Sequence, residues 1–144
     1  MSRWFACALP ASRTPEGATG DLSSDRFNPT VVSLSVGSNP VEGTPGGFTS
    51  SDNLDRDFFG ITLAPDRVLS EIITGPDTRV GGGASFIGVQ AGTRITVDPG
   101  TVVSGAALLG WHIYGSADEG TNILDEMGGG PDKIGIAGPL PAGT

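Results

Sequence analysis

Glycine and proline interrupt this chain so often that it has no room for a long helix. Its 144 residues include 24 glycines and 11 prolines. Both residues destabilise helix interiors, glycine through its backbone entropy and proline through its missing N–H group. Many short strands joined by turns suit such a chain, and its 37% of hydrophobic residues are enough to give those strands a core.

Alternating apolar and polar residues predict strands along most of the chain. The pattern is clearest in the segment VVSLSV, and the most apolar stretch, GAALLGWHIYG, predicts a central strand. The predicted strands are 31–36, 56–63, 67–74, 84–90, 93–97, 105–115 and 133–138.

One segment, 121–130, favours a helix, of one or two turns at most. Asn122 can cap its start, Asp125 follows three residues later, and three glycines end it. Since no crossover helices separate the strands, we predict an all-β fold, an antiparallel β-sandwich of jelly-roll or Greek-key type. One short helical turn near 121–127 belongs to this prediction.

The sequence divides into a leader and one domain. Residues 1–25 show no hydrophobic period and are predicted to be a flexible leader or the remnant of a secretory signal. Residues 26–144 are predicted to form a single β-sandwich domain. The closing segment 139–144 is a proline-rich turn of the kind that leads into another strand. We therefore expect the last strand to lie beyond Thr144, and the sheet edge exposed without it to promote self-association.

The charge and the cysteine count exclude several classes of function. A net charge of −8 argues against nucleic acid and anionic membranes as partners, since both require a basic surface. No apolar run approaches the roughly 18 residues of a membrane-spanning helix. Cys7 is the only cysteine, so neither an intrachain disulfide nor a cysteine zinc site is expected.

Three segments resemble a known family. They are GDLSSDRFNPTVVSLSVGSNPVEGT (20–44), DNLDRDFFGITLAPDRVLSEI (52–72) and the closing PLPAGT (139–144). In them an aspartate precedes two aromatic residues, a proline turn follows, and the last turn matches the family motif LPAGTY except for its tyrosine. This pattern is similar to the bacterial pre-peptidase C-terminal (PPC) type of β-sandwich.

A second likeness concerns the last part of the chain. Residues 123–144 are similar to exported, cyanobacterial-type proteins that carry C-terminal sorting tags. Together the two resemblances imply an accessory, non-catalytic domain of a secreted or cell-surface bacterial protein.

The sequence predicts no catalytic site. His112 is the only histidine, and its position, out of phase with Trp111 and Ile113, predicts a solvent-facing side chain. A Gly-x-Ser-x-Gly nucleophile motif is absent. Cys7 lies in the predicted leader, which argues against a Cys–His pair, and the glycines of 83–88 lack the Lys-Ser/Thr of a phosphate loop.

Two groups of residues are candidate ligand sites. Asp52, Asp55 and Asp57 form an acidic cluster before a strand, and clustered carboxylates can bind calcium, although the spacing is not that of an EF-hand. Trp111 and Tyr114 are candidates for stacking on a sugar, although aromatic residues on an apolar strand more often belong to a core.

The functional prediction is therefore a secreted or cell-surface accessory module with an adhesion, structural or targeting role and no cofactor. One alternative is a lectin-like domain that binds carbohydrate or calcium, with a polysaccharide or cell-surface partner. A second alternative is a fragment of a larger secreted hydrolase.

Overall fold

The computed structural model describes residues 21–43, 56–75, 85–98, 108–127 and 139–142. Its regular elements in this part of the chain are six strands, one turn of 3-10 helix and one short α-helix. The described part of the chain is therefore mostly β, as the sequence predicts.

The strands form three two-stranded sheets. The bounds are β1 Thr30–Val32, β2 Phe59–Ile61, β3 Val68–Leu69, β4 Ser85–Val89, β5 Gly110–Tyr114 and β6 Leu140–Pro141. Strands β4 and β5 pair antiparallel, as do β3 and β6, whereas β1 and β2 are parallel. The parallel pair departs from the predicted antiparallel arrangement, and residues 33–58 between its strands supply the long connection that parallel pairing requires.

The helical turn forms where the sequence predicts it. Helix α1 spans Ile123–Glu126, and Asn122 caps it by accepting a hydrogen bond from the Leu124 N–H at 3.2 Å. The same Asn122 oxygen accepts the Ile72 N–H at 3.1 Å, so the cap also ties the helix to the segment after β3. Asp125 accepts a hydrogen bond from the Asn122 amide at 2.9 Å, which orients that amide.

The main hydrophobic core forms around this helix. Strands β3 and β6 supply part of it, and half-buried side chains of β2, β4 and β5 pack against it. Its buried members are Leu69, Ile123, Leu124, Met127 and Leu140. Leu140 belongs to the closing segment, so the predicted proline turn contributes a strand and a core residue to the domain.

Two residues of the segment 1–25 pack against the described strands. Leu22 is buried, and Ser23 forms an isolated antiparallel bridge with Phe58 beside strand β2. Both residues fall within the segment 1–25 that the sequence assigns to a leader. The backbone N–H of Ser23 also donates to the Thr30 hydroxyl at 2.9 Å, so this segment is tied to the start of β1 as well.

The predicted strand 93–97 is wrong, because a side chain takes the place of a strand partner. Gln90 accepts the Thr96 N–H at 2.9 Å and donates to the Thr96 hydroxyl at 2.6 Å. Gly92 makes the bend with a positive φ of 114°. Strand β4 consequently pairs with β5, while 93–97 remains a loop that donates the Ile95 N–H to Arg26. The predicted strand 133–138 lies outside the described residues.

Candidate functional site

The β4–β5 pair has two chemically different faces. Its register places Phe86 opposite Ile113, Ile87 opposite His112, and Gly88 opposite Trp111. Because paired residues share a face and successive residues alternate, Phe86, Trp111 and Ile113 lie together on one side. We call this side the outer face. The inner face carries Ile87, Val89 and Tyr114, which pack against the core.

The outer face holds an aromatic pair next to an exposed aliphatic side chain. The rings of Phe86 and Trp111 stack with their centroids 6.0 Å apart and their planes at 27°. Phe86 is 47% exposed and Ile113 is 56% exposed, so this apolar surface is open to solvent. Apolar groups that share one exposed face often mark an interaction site.

A glycine allows the Phe86 ring to lie close to the sheet. A Cβ atom at Gly88 would be 3.1 Å from Cε1 of Phe86 and 3.2 Å from Cδ1 of Leu108. These distances are tighter than ordinary van der Waals contacts, so a side chain at Gly88 would displace the ring or the leucine. Gly88 thus shapes the outer face without contributing a side chain to it.

The structure separates the two predicted sugar-stacking residues. Trp111 lies on the outer face, whereas Tyr114 lies on the inner face and packs against the core. The aromatic partner of Trp111 is Phe86, which the sequence analysis did not select. Since Phe86 and Trp111 belong to different strands, their proximity depends on the register between β4 and β5, and no motif in the sequence signals that register.

His112 does not face solvent as predicted. Its side chain is only 14% exposed, and both ring nitrogens are buried without a hydrogen-bond partner. The predicted phase of β5 is wrong by one residue, because Ile113 takes the exposed side. Ile113 therefore lies on the outer face, and His112 lies on the inner face.

Asp118 is the acidic neighbour of His112, and the sequence analysis did not pair the two. Nε2 of His112 lies 3.9 Å from Oδ1 of Asp118, which is too far for a hydrogen bond. The 3-10 helix Ser116–Asp118 places this carboxylate next to β5, and its other oxygen accepts the Gly115 N–H at 2.7 Å.

The backbone of Asp118 joins three segments. Its carbonyl accepts hydrogen bonds from the hydroxyls of Thr74 and Thr121, the latter at 2.6 Å. The Gly120 N–H donates to the Thr74 carbonyl at 3.0 Å. Asp118 therefore connects the end of β5, the segment after β3 and the approach to helix α1, which is a structural role.

The acidic cluster is only partly described. Asp57 is half-buried just before β2, and its carboxylate lies against Gly43 so closely that a Cβ atom there would clash with it. Asp52, Asp55 and Cys7 lie outside the described residues. Within the described ranges, no three His, Cys, Asp or Glu residues gather in a way that could hold a metal ion.

Comparison with known proteins adds no family assignment. No family model, curated protein or solved structure matches the chain. In the part of the chain that the structure describes, no helix has the length and apolar character needed to cross a membrane.

Proposed function

We propose that this chain is a non-catalytic accessory module of a secreted or cell-surface bacterial protein, and that it makes contacts through the outer face. The single observation that carries the proposal is the grouping of Phe86, Trp111 and Ile113 on one exposed side of the β4–β5 pair. The resemblance of residues 20–44, 52–72 and 139–144 to the PPC type of β-sandwich supplies the expected setting, an exported protein.

The environment of His112 supports a non-catalytic role. A general base must reach the proton of a substrate or nucleophile within hydrogen-bond distance, directly or through one water molecule. Both nitrogens of His112 are buried, and the nearby Asp118 carboxylate already accepts a backbone hydrogen bond. This arrangement suits a packed strand residue better than an acid–base catalyst.

Turnover assays test the non-catalytic part of the proposal. Ester, peptide and glycoside substrates are incubated with the unaltered chain and with the His112→Ala variant. We expect no turnover above the buffer background from either protein. Turnover by the unaltered chain that is lost in His112→Ala would contradict the proposal and favour the fragment of a hydrolase.

The aromatic pair favours carbohydrate as a second candidate function. The rings of Phe86 and Trp111 are close and nearly parallel, and together they offer an apolar aromatic surface that a sugar ring can cover. With a net charge of −8, the chain suits a neutral polysaccharide better than an acidic one.

Tryptophan fluorescence tests this candidate directly. The chain has two tryptophans, so a Trp4→Phe background leaves Trp111 as the only reporter. We expect neutral polysaccharides to change its emission saturably, and Phe86→Ala to weaken that change. Phe27→Ala is the matched control, because Phe27 is similarly exposed but lies outside the β4–β5 pair. Equal weakening by both variants, or no saturable change, would remove carbohydrate as the ligand of this face.

A further inference from the structure

A cavity of about 260 Å³ opens where the parallel strands β1 and β2 end. Both strands run toward it, and past Val32 and Ile61 they stop pairing. Residues 34–36 and 62–64, which follow the two strands, line the cavity together with the start of β3. In open α/β sheets ligands bind outside the carboxyl ends of the parallel strands, and this cavity lies at the corresponding end of the β1–β2 pair.

The cavity is lined by aliphatic side chains together with Ser35 and Thr62. Leu34 and Val36 line it from the chain after β1, Leu63 from the chain after β2, and Val68 from β3. Val36 and Val68 both retain substantial exposure, so the apolar wall is open to solvent. An apolar ligand that covered these side chains would gain hydrophobic free energy.

Arg67 adds a positive charge to this apolar wall. The turn before β3 fixes the backbone of Arg67, since the Arg67 N–H donates to the Ala64 carbonyl at 2.9 Å. Its Nε lies 3.5 Å from the carboxylate of Asp66, in a pair whose side chains are 45% and 74% exposed. Exposed pairs of this kind are weak, and a guanidinium has five N–H donors, so Arg67 can still bind a second carboxylate.

We propose that this cavity binds a small aliphatic carboxylate. The charge of the ligand complements Arg67, and its hydrocarbon part contacts Leu34, Leu63 and Val68. The volume is below the roughly 300 Å³ at which pockets for drug-sized ligands begin, which suits a short hydrocarbon chain. None of the outer-face residues lines this cavity, so carboxylate binding here is independent of the proposed contact surface.

Binding of sodium hexanoate to the isotope-labelled chain, followed by NMR, tests this site. We expect saturable shifts of the amide signals of Leu34, Leu63 and Val68. The alcohol 1-hexanol should bind more weakly, and hexylammonium should not bind, because only the carboxylate pairs with Arg67. The Arg67→Gln variant should weaken hexanoate about tenfold while leaving 1-hexanol unchanged, since it removes the charge and keeps most of the side chain.

Two further variants keep the test decisive. Arg67→Lys retains the positive charge and should recover part of the hexanoate affinity. Arg26→Gln is the matched control, because Arg26 is a cation outside this cavity whose guanidinium donates to the Thr96 carbonyl. The proposal is overturned if hexanoate and 1-hexanol bind equally, if Arg67→Gln and Arg26→Gln have the same effect, or if the shifts lie away from the cavity.

Discussion

A Cβ atom on Gly110 would lie 2.9 Å from the Cβ atom of Met127, the residue that follows helix α1. Strand β5 therefore contacts Met127 too closely for residue 110 to carry a side chain. Met127 is buried in the core, and its carbonyl oxygen also lies 3.3 Å from that Cβ position. Neither the backbone of Met127 nor its buried side chain can move away from a new Cβ atom on residue 110 without disturbing the core.

Gly110→Ala should therefore destabilise the domain. Overpacking in a well-packed core costs about 1–3 kcal/mol, and urea unfolding measures this loss. Gly60→Ala is the matched control on another strand, because a Cβ atom there meets only Pro29 at 3.9 Å, an ordinary contact. If the two variants lose the same free energy of unfolding, the loss comes from replacing any strand glycine and not from the contact with Met127.

His112→Leu should leave the stability unchanged or raise it slightly. The histidine ring loses its hydrogen bonds to water on folding and gains none, and leaving such groups unsatisfied costs about 1–3 kcal/mol. Leucine fills a similar volume without that cost. Thermal unfolding of the two proteins near neutral pH provides the comparison. A loss above about 2 kcal/mol would show that the imidazole makes a favourable polar contact after all.

Asn122→Ala should cost about 1–2 kcal/mol, toward the upper end of the range for helix N-caps. The side-chain oxygen accepts two backbone N–H groups, one from the helix and one from Ile72, and alanine leaves both unsatisfied. Asn122→Ser keeps an acceptor oxygen at the N-cap and adds no charge beside Asp125, but it loses the amide bond to Asp125, so its loss should be smaller. Chemical denaturation measures the free energy of unfolding of both variants. An equal loss in both would show that the amide group, and not the acceptor oxygen, provides the stabilisation.

The pKa of Asp25 should lie below that of an ordinary aspartate. The largest cause is the hydrogen bond from the Asn28 amide at 2.6 Å, followed by the Phe27 N–H at 2.9 Å, and both favour the carboxylate. A lowered pKa in the folded state stabilises the fold above the unfolded pKa, and this contribution disappears as the pH falls through the folded pKa.

NMR titration of the Asp25 carboxyl carbon measures this pKa. Asn28→Ala should raise it toward the ordinary value, whereas Asn39→Ala, which removes hydrogen bonds in another loop, should not. A pKa in the unaltered protein at or above the ordinary value would contradict the geometry of this turn.

Calcium binding by Asp52, Asp55 and Asp57 remains a prediction from the sequence. A cation that binds only the folded chain raises the melting temperature as its concentration rises. We expect millimolar calcium to raise the melting temperature of the unaltered chain but not of Asp55→Ala. Asp66→Ala, which removes an exposed carboxylate outside the cluster, should respond like the unaltered chain. A melting temperature that calcium does not change would exclude the site.

Local chemistry explains the elements that were predicted well. The cap at Asn122 depends on residues within a few positions of it, and α1 begins where that cap allows. The strand pattern of 84–90 and the apolar stretch 105–115 likewise placed strands at β4 and β5. In both cases the sequence pattern that predicts the element lies within the element or next to it.

The segments that were predicted incorrectly depend on distant partners. The loop 93–97 has the alternation of a strand, but the side chain of Gln90 and the carbonyl of Arg26 take its backbone donors. The phase of β5 was assigned from Trp111 and Ile113, whereas the contact of Gly110 with Met127 decides which side faces the core. A strand with apolar residues in both phases does not reveal by itself which side is buried.

The sequence by itself therefore determined that the regular elements of the described residues are mostly strands, that the predicted helical turn is short, and that the chain carries a net negative charge, because glycine, proline and charge act locally or through composition. Only the tertiary structure decided that Phe86 stacks on Trp111, that His112 turns inward toward Asp118, and that Arg67 borders an apolar cavity. Each of these arrangements brings together side chains from separate segments or decides which face of a strand is buried. Strand register and core packing set both, and these arise only when the chain folds.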